Sequence, residues 1–424
     1  MRRGDRVPLP AGFATIWTTV ALDLVGFGIV LPLLPLYARD LDASPTTIGA
    51  LVASFSLMQL VFSPLWGRAS DRWGRKPVLI VSLVGTAVGS LLTGLAGSLP
   101  LLFIGRILDG VSGASVSVAQ AAVTDVAPPE ERARLLGLLG AAFGVGFVVG
   151  PALGAVASLG GRQLPFLIAA GIAAVNALTA VRRLPETHPG RQEPDPAAVT
   201  PTPLTSPVVA PTQAGLEPDP RAGSGGLLRL AMVAFTSLVA FSAFEATFSL
   251  LGAERFDLTI GSAGAVFACV GLVLVVVQGG LIRPVVGRFG ETTTLRAGLA
   301  LDVVGLGLLA VATSWSLLAL ALLLLVTGQG LVTPTLSSLV AGRAHADRRG
   351  TALGFQQSAG GLARVVGPAL GGALFQHVGV GAPSLMGAAL AGAAMVLTGP
   401  RGADTRILSG AVPPPSQQKA GFRA

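Results

Sequence analysis

Charge is what this chain has least of: Asp, Glu, Lys and Arg make up 12% of its 424 residues, against 51% hydrophobic ones, and mean hydropathy is +0.72. So little polar surface cannot cover a soluble domain of this length, which leaves an integral membrane protein. Cysteine is nearly absent. The one thiol, Cys269, falls inside an apolar run, so a disulfide framework and a thiolate metal site are both excluded. Histidine is scarce too: His188, His345 and His377 fall in loops or at a helix end without a second ligand at metal-site spacing, so neither metal nor cofactor is expected. Strand-like alternation is also missing. The apolar runs are about 20 residues long and hold glycine and proline without the turn spacing of a barrel, so helices must satisfy the backbone in lipid.

Twelve spans can be drawn, at 13–36, 47–66, 77–97, 99–123, 135–158, 163–183, 228–251, 261–282, 294–313, 316–340, 350–376 and 380–398. The formal charge of +8 does not gather on one face, so nucleic acid is not an expected partner; membrane topology explains it. With the N-terminus in the cytoplasm, 24 of the 29 Lys and Arg lie on the cytoplasmic side. Arg39, Arg162 and Arg255 lie opposite, and Arg106 and Arg364 fall inside spans. A wrong span count would scramble this asymmetry, which places both termini in the cytoplasm and the chain in the cell membrane. The basic N-terminus and first apolar run resemble a signal peptide, but the run is too long and no small-residue cleavage site follows, so it is read as a retained helix.

Residues 184–227 hold ten prolines among Thr, Ser and Gly with almost no apolar periodicity, and read as a flexible cytoplasmic linker. The expected organisation is therefore a six-helix bundle at 1–183, the linker, a second bundle at 228–398 and a disordered cytoplasmic tail at 399–424. Duplication is written into the chain: Val-Gly-Pro-Ala-Leu-Gly-Ala at 149–155 returns as Val-Gly-Pro-Ala-Leu-Gly-Gly at 366–372. The element reads as a place where small residues let backbones approach (Gly146, Gly150 and Gly154; Gly367 and Gly371) and where Pro151 and Pro368 each remove a helix hydrogen bond.

Between spans two and three the chain reads Gly67-Arg-Ala-Ser-Asp71-Arg72-Trp73-Gly74-Arg75-Lys76-Pro77. Gly67 is expected to permit close helix approach, Asp71 to face a helix N-terminus and nearby Arg groups, and Pro77 to suit a first helical turn. The alternative is that its four positive charges only anchor topology. The later copy, Arg288-Phe289-Gly290-Glu291, has Gly287 where Asp71 would stand. This loop resembles the signature loop of the major facilitator superfamily, Gly-x-x-x-Asp-Arg-x-Gly-Arg-Arg/Lys, at every diagnostic position. The resemblance implies an all-helical fold of two six-helix bundles related by pseudo-two-fold symmetry, and a loop that latches the outward-facing state.

Span one, with Asp23, Gly26, Gly28, Pro32, Pro35 and Tyr37, is similar to the first helix of the twelve-helix drug/proton antiporters, a branch that includes the tetracycline exporters. A carboxylate in an apolar span is costly when charged, so Asp23 is read either as a proton carrier or as a structural hydrogen-bonding group. Span four carries Arg106 and Asp109, one turn apart on one face and able to pair. It resembles the family's Arg-x-x-x-Gly motif, whose arginine is linked to proton coupling. Two readings stand: a structural ion pair, or a couple that releases Arg106 when Asp109 or Asp23 is protonated. The run from Gly146 to Gly154 resembles the family's antiporter motif, with Ala155 in place of its final Gly. In the second half, Glu245, Asp302 and Arg364 are the buried charges, and Arg364 is the cation to meet Glu245 or a substrate.

The expected function is secondary transport of a small molecule by alternating access: proton-coupled efflux of an amphipathic compound, or alternatively transport of a metabolite such as a sugar or amino acid. Against sugar uptake, the end of span six gives Pro185-Glu186-Thr187 without the longer Pro-Glu-Ser-Pro-Arg pattern of sugar porters. No catalytic set rises above background, so an enzyme is not expected. The expected partners are substrate, protons and the bilayer, with the chain a monomer.

Overall fold

The computed structural model describes residues 9–128, 131–188, 224–343 and 349–399; most of the expected linker, 189–223, and the tail beyond 399 lie outside them. The described residues form fourteen α-helices: α1 (Phe13–Arg39), α2 (Pro45–Trp73), α3 (Arg75–Gly94), α4 (Leu99–Ser112), α5 (Ser115–Val126), α6 (Arg132–Ala157), α7 (Leu164–Arg183), α8 (Ser224–Phe256), α9 (Ile260–Val276), α10 (Ile282–Phe289), α11 (Glu291–Val311), α12 (Trp315–Arg343), α13 (Arg349–His377) and α14 (Ala382–Leu397). All twelve expected spans are helical. Among the described residues, ten helical stretches are long and apolar enough to cross a bilayer, and Ala382–Leu397 is a shorter apolar helix. The remaining one, α13, has the length but carries Gln356, Gln357, Ser358, Arg364 and Gln376. At the start of the second half, α8 begins at Ser224, four residues before the expected boundary.

Local chemistry fixes the ends. Ser44 caps α2 by accepting from Thr47 N at 3.2 Å, with Pro45 in the first turn. Thr259 and Ser262 form a reciprocal capping box on α9. Gly74 and Gly290, at φ +99° and +76°, make the equivalent tight turns into α3 and α11, a backbone region that glycine enters without penalty.

Two spans depart from a single regular helix. Span four breaks at Gly113 and Ala114, between α4 and α5. A break in an apolar span must find new hydrogen-bond partners, and neighbouring side chains supply them: Trp66 Nε1 donates to Val111 O at 2.6 Å, Gln59 Nε2 to Gly113 O at 2.9 Å, and Ser82 Oγ donates to Ser112 O and accepts from Ala114 N. Span eight runs α9 into α10 through a π-helical turn at Val277–Leu281.

The loops after α1, α3, α6, α8, α11 and α13 lie at one end of the molecule, called here the 41 end after Leu41; those after α2, α5, α7 and α10 lie at the other, the 74 end. Helices α1 to α7 pack mainly on one another, and so do α8 to α14; α2 with α13 and α6 with α9 form two seams between the groups, with α1 beside α8. The most enclosed candidate span is α1. The core shows how the two groups meet. Toward the 41 end one buried cluster draws on both, from Val25, Leu33 and Phe166 to Phe244, Leu306 and Phe375. Toward the 74 end it divides into one cluster from residues of α1 to α7 and another from α8 to α14. Polar contacts close the 41 end as well: Ser249 Oγ donates to Pro32 O at 2.7 Å, Thr46 N donates to Gln376 Oε1 at 3.1 Å, and Arg39 meets Glu254 at 3.4 Å.

Candidate functional site

Asp23, Arg106 and Asp109 come together inside the first group. Arg106 is buried and donates through Nη1 to Asp109 Oδ2 at 2.8 Å, the i,i+3 pair expected from spacing. The other face of the guanidinium lies over the Phe55 ring, 4.3 Å from its centroid, and Phe55 packs on Phe27 of α1 at 5.6 Å. A desolvated cation–π contact of this kind contributes up to about 2 kcal/mol. Asp23 accepts from Ser115 Oγ, the first residue of α5, while its Oδ1 is buried without a partner, as is Arg106 Nε. The break at Gly113 and Ala114 thus has a chemical result: it turns Ser115 toward Asp23. Asp23 and Asp109 lie within electrostatic reach of each other. Two carboxylates therefore lie near each other, one of them paired with the buried guanidinium and the other with a hydroxyl, and a proton passed between them can redistribute the pairing.

The 67–77 loop holds a second cluster. Arg75 donates through Nη1 to Asp71 Oδ1 at 2.5 Å and Ser70 Oγ at 2.7 Å, and through Nε to Asp125 Oδ2 at 2.9 Å, tying α2, α3 and α5 together. Asp71 thus meets an Arg as expected, but it does not cap α3. That role falls to Glu186, whose carboxylate accepts from Arg75 N at 2.9 Å, Lys76 N at 3.2 Å, Thr187 N at 3.0 Å and His188 N at 3.0 Å. Burial opposes its charge, but these four donors outweigh it and hold the Glu186 carboxyl below its ordinary range. A Cβ on Gly74 would collide with this carboxylate. Gly67 departs from expectation: a Cβ there would meet nothing within 4 Å, so no close helix approach requires it. Arg72 lies at the exposed end of α2.

The twin Gly-Pro elements build the seams. In α6, a Cβ on Gly146, Gly150 or Gly154 would strike Leu24, Gly28 and Leu33 of α1. In α13, Gly367 and Gly371 sit in the same way against Ser242, Ala243 and Thr247 of α8. The prolines face outward from each group. Pro151 O meets Gly264 of α9, 3.0 Å from where a Cβ would stand, and Pro368 O meets Gly49 of α2 still more closely. Both helices run unbroken through their proline. Pro151 has no N–H to give Phe147 O, and it is Gly271 whose backbone approaches that carbonyl.

Asp302 stands apart, buried between α11 and α12, with Oδ1 unpartnered where a Cβ of Gly328 would go. The duplication explains its place. Gly305 packs on Ala321 and Leu325 as Gly89 packs on Gly105 and Asp109, so at the same offset of 216 Asp302 corresponds to Thr86 and Leu325 to Asp109. Both halves keep an acid in this seam, but on opposite helices, and among the described residues only the first half has an arginine beside it. Glu245 and Arg364 lie on α8 and α13, which pack together, and interact electrostatically without an ion pair.

Sequence reasoning does not assign Phe55, Ser115, Asp125 or Glu186 to these clusters. Only Glu186 carries a usable signal, as an acid placed just after a span whose turn returns it to the 74 end.

A family model described as Major Facilitator Superfamily matches residues 16–284 and 279–417. The chain is 32% identical over 361 residues to the tetracycline resistance protein, class C, of Escherichia coli, covering 84% of this chain and 88% of that one. It is 27% identical over 365 residues to multidrug resistance protein 2 of Bacillus subtilis, covering 86% and 88%. The crystal structure of the human organic anion transporter MFSD10 (TETRAN) superposes with a TM-score of 0.65 at 29% identity, over 92% of this chain and 99% of that one.

Proposed function

The chain belongs to the major facilitator superfamily of transporters, a multi-pass membrane protein, and from that premise we propose that it exports a small amphipathic compound in exchange for protons. The observation that carries this reading is the buried cluster of Asp23, Ser115, Asp109 and Arg106 in the first helix group, two neighbouring acids of which one holds the guanidinium and the other a hydroxyl. Relatives bearing the names of tetracycline and multidrug resistance support the direction of transport, since a membrane carrier gives resistance by moving a compound out.

The proposed cycle follows from the clusters. Two units, 1–183 and 228–398, move against each other, with 184–227 as the cytoplasmic linker between them and twelve helices crossing the cell membrane. With the termini in the cytoplasm, the 41 end faces outward, and the described state is closed on the outside. With both acids charged, Arg106 is held by Asp109. A proton arriving on Asp109, directly or by way of the neighbouring Asp23, leaves Arg106 less well paired and biases the units toward the other state, and Asp302 serves as the second unit's protonatable group. Asp71 pairs with Arg75 of its own unit in this state and is released to latch the opposite unit when the 74 end closes. The chain works as a monomer. One proton crossing a membrane at 100 mV supplies about 2.3 kcal/mol before any pH gradient, enough to bias a two-state equilibrium about fiftyfold.

The test uses the full chain in proteoliposomes with the interior acid. Accumulation of tetracycline or a lipophilic cation should follow the gradient and be lost in Asp23→Asn and Asp109→Asn. Gradient-independent uptake, or a fully active Asp23→Asn, sinks the proton-exchange reading.

A further inference from the structure

Arg364 and Glu245 are absorbed by no cluster. Their positions follow from the helix contacts. On α13, Gly360, Gly367 and Gly371 meet Leu238, Ser242, Ala243 and Thr247 of α8, and Ala363 O in the same stripe accepts from Ser242 Oγ at 3.1 Å. Gly361, Pro368 and Gly372 meet Leu60, Gly49 and Pro45 of α2. At about 100° per residue, Arg364 falls between the α8-facing and α2-facing stripes, and α2 and α8 also touch each other. The side chain therefore points into the junction of three helices drawn from both units. On α8, Glu245 lies one turn before Ser249, which bonds to Pro32 of α1, so it faces the same space between the units.

Both head groups are open. Arg364 is exposed, and Glu245 is half-buried although surrounded by protein, which describes a crevice. They attract each other electrostatically, yet no hydrogen bond or ion pair within 4.0 Å joins either to another described residue. Between Pro45 and Gly67, α2 carries no charge to neutralise Arg364. Phe241, one turn before Glu245, adds a partly buried aromatic face. An unpaired guanidinium in a crevice between moving units presents a planar donor fork suited to a carboxylate.

We propose that Arg364 binds the anionic group of an amphipathic aromatic substrate in this crevice, with Phe241 against its ring and Glu245 excluding a second negative charge. The proposal rests on the transporter reading and narrows its substrate class to organic acids, zwitterions included. The experiment is equilibrium binding of 2-naphthoate and its neutral isostere 2-naphthamide to the full chain in nanodiscs, with empty nanodiscs subtracted and no proton gradient present. The wild type should bind naphthoate about tenfold or more tightly than the amide, the range a charge-assisted hydrogen bond supports. Arg364→Gln should equalise the two probes, Arg364→Lys should keep part of the preference, and Glu245→Gln should strengthen naphthoate binding. Equal affinities in the wild type, no binding of either probe, or a preference that survives Arg364→Gln overturns the proposal. The wild-type comparison stands even if a variant fails to fold. A naphthoate preference without gradient-driven transport would remove proton exchange and leave the anion site; gradient-driven transport without the preference would do the reverse.

Discussion

Gly49→Ala tests whether the seam between α2 and α13 is a conformational contact. The new Cβ would press on Pro368 O and stand 3.1 Å from Gly372 Cα and 3.2 Å from Pro368 C, all backbone atoms that no rotamer change can move. Overpacking of this kind costs about 1–3 kcal/mol. The cost falls only on the state in which the 41 end is closed, so the ratio of the two states should move about 5- to 150-fold toward opening there. Helix propensity acts in the other direction on overall stability, since Ala is favoured over Gly by about 1 kcal/mol in a helix interior. Spin labels at Leu159→Cys and Val378→Cys, exposed sites of the two groups at the 41 end, in a Cys269→Ser background, report the separation by pulsed dipolar spectroscopy. The expected result is a longer-distance population with thermal stability close to that of the parent. An unchanged distance distribution in a well-folded variant would refute the reasoning.

Three further outcomes follow from the clusters. Glu186→Ala removes a carboxylate held below its ordinary range, so its contribution is present above the unfolded pKa of about 4.3 and lost as pH falls through the lower folded value. Melting at pH 7 should show the variant about 1 kcal/mol less stable, a typical loss of a helix cap, with the two proteins converging in acid. Arg106→Gln leaves Asp109 buried beside no cation and should destabilise by about 3–5 kcal/mol, measured by denaturation in micelles, while the double variant with Asp109→Asn should recover part of that loss. Gly328→Ala should destabilise because its Cβ would overlap the Asp302 carboxylate and press on Gly298 O, and Asp302→Ala should relieve the first part of that cost; strictly additive losses in the double-mutant cycle would show that the two side chains do not meet.

The spans, the Gly-Pro repeat and the Arg106–Asp109 pair are legible in the sequence because each depends on residues close along the chain or on hydropathy alone. The break in span four is not, since it persists only because Gln59, Trp66 and Ser82 arrive from two other helices to take up the carbonyls and amide it frees. Glu186 and Asp125 escape notice for the same reason: they reach Arg75 across 111 and 50 residues of chain, a distance no spacing rule covers. The expectation for Gly67 fails because small size permits an approach without requiring one.

The proline carbonyls at the two seams carry a mechanical consequence. Pro151 O and Pro368 O each lie within a helix that continues past them, so each has an acceptor's place in its own helix ladder, and across the seam each meets the backbone of a glycine. Parting these carbonyl–glycine contacts strands no donor or acceptor, because no directional bond is made at them; on the α2–α13 seam the hydrogen bond from Thr46 N to Gln376 Oε1 lies apart from them, at the 41 end. At the proline carbonyls the joints behave as dry bearings, in which resistance to opening comes from close packing, while the polar contacts that must break are gathered at the 41 end.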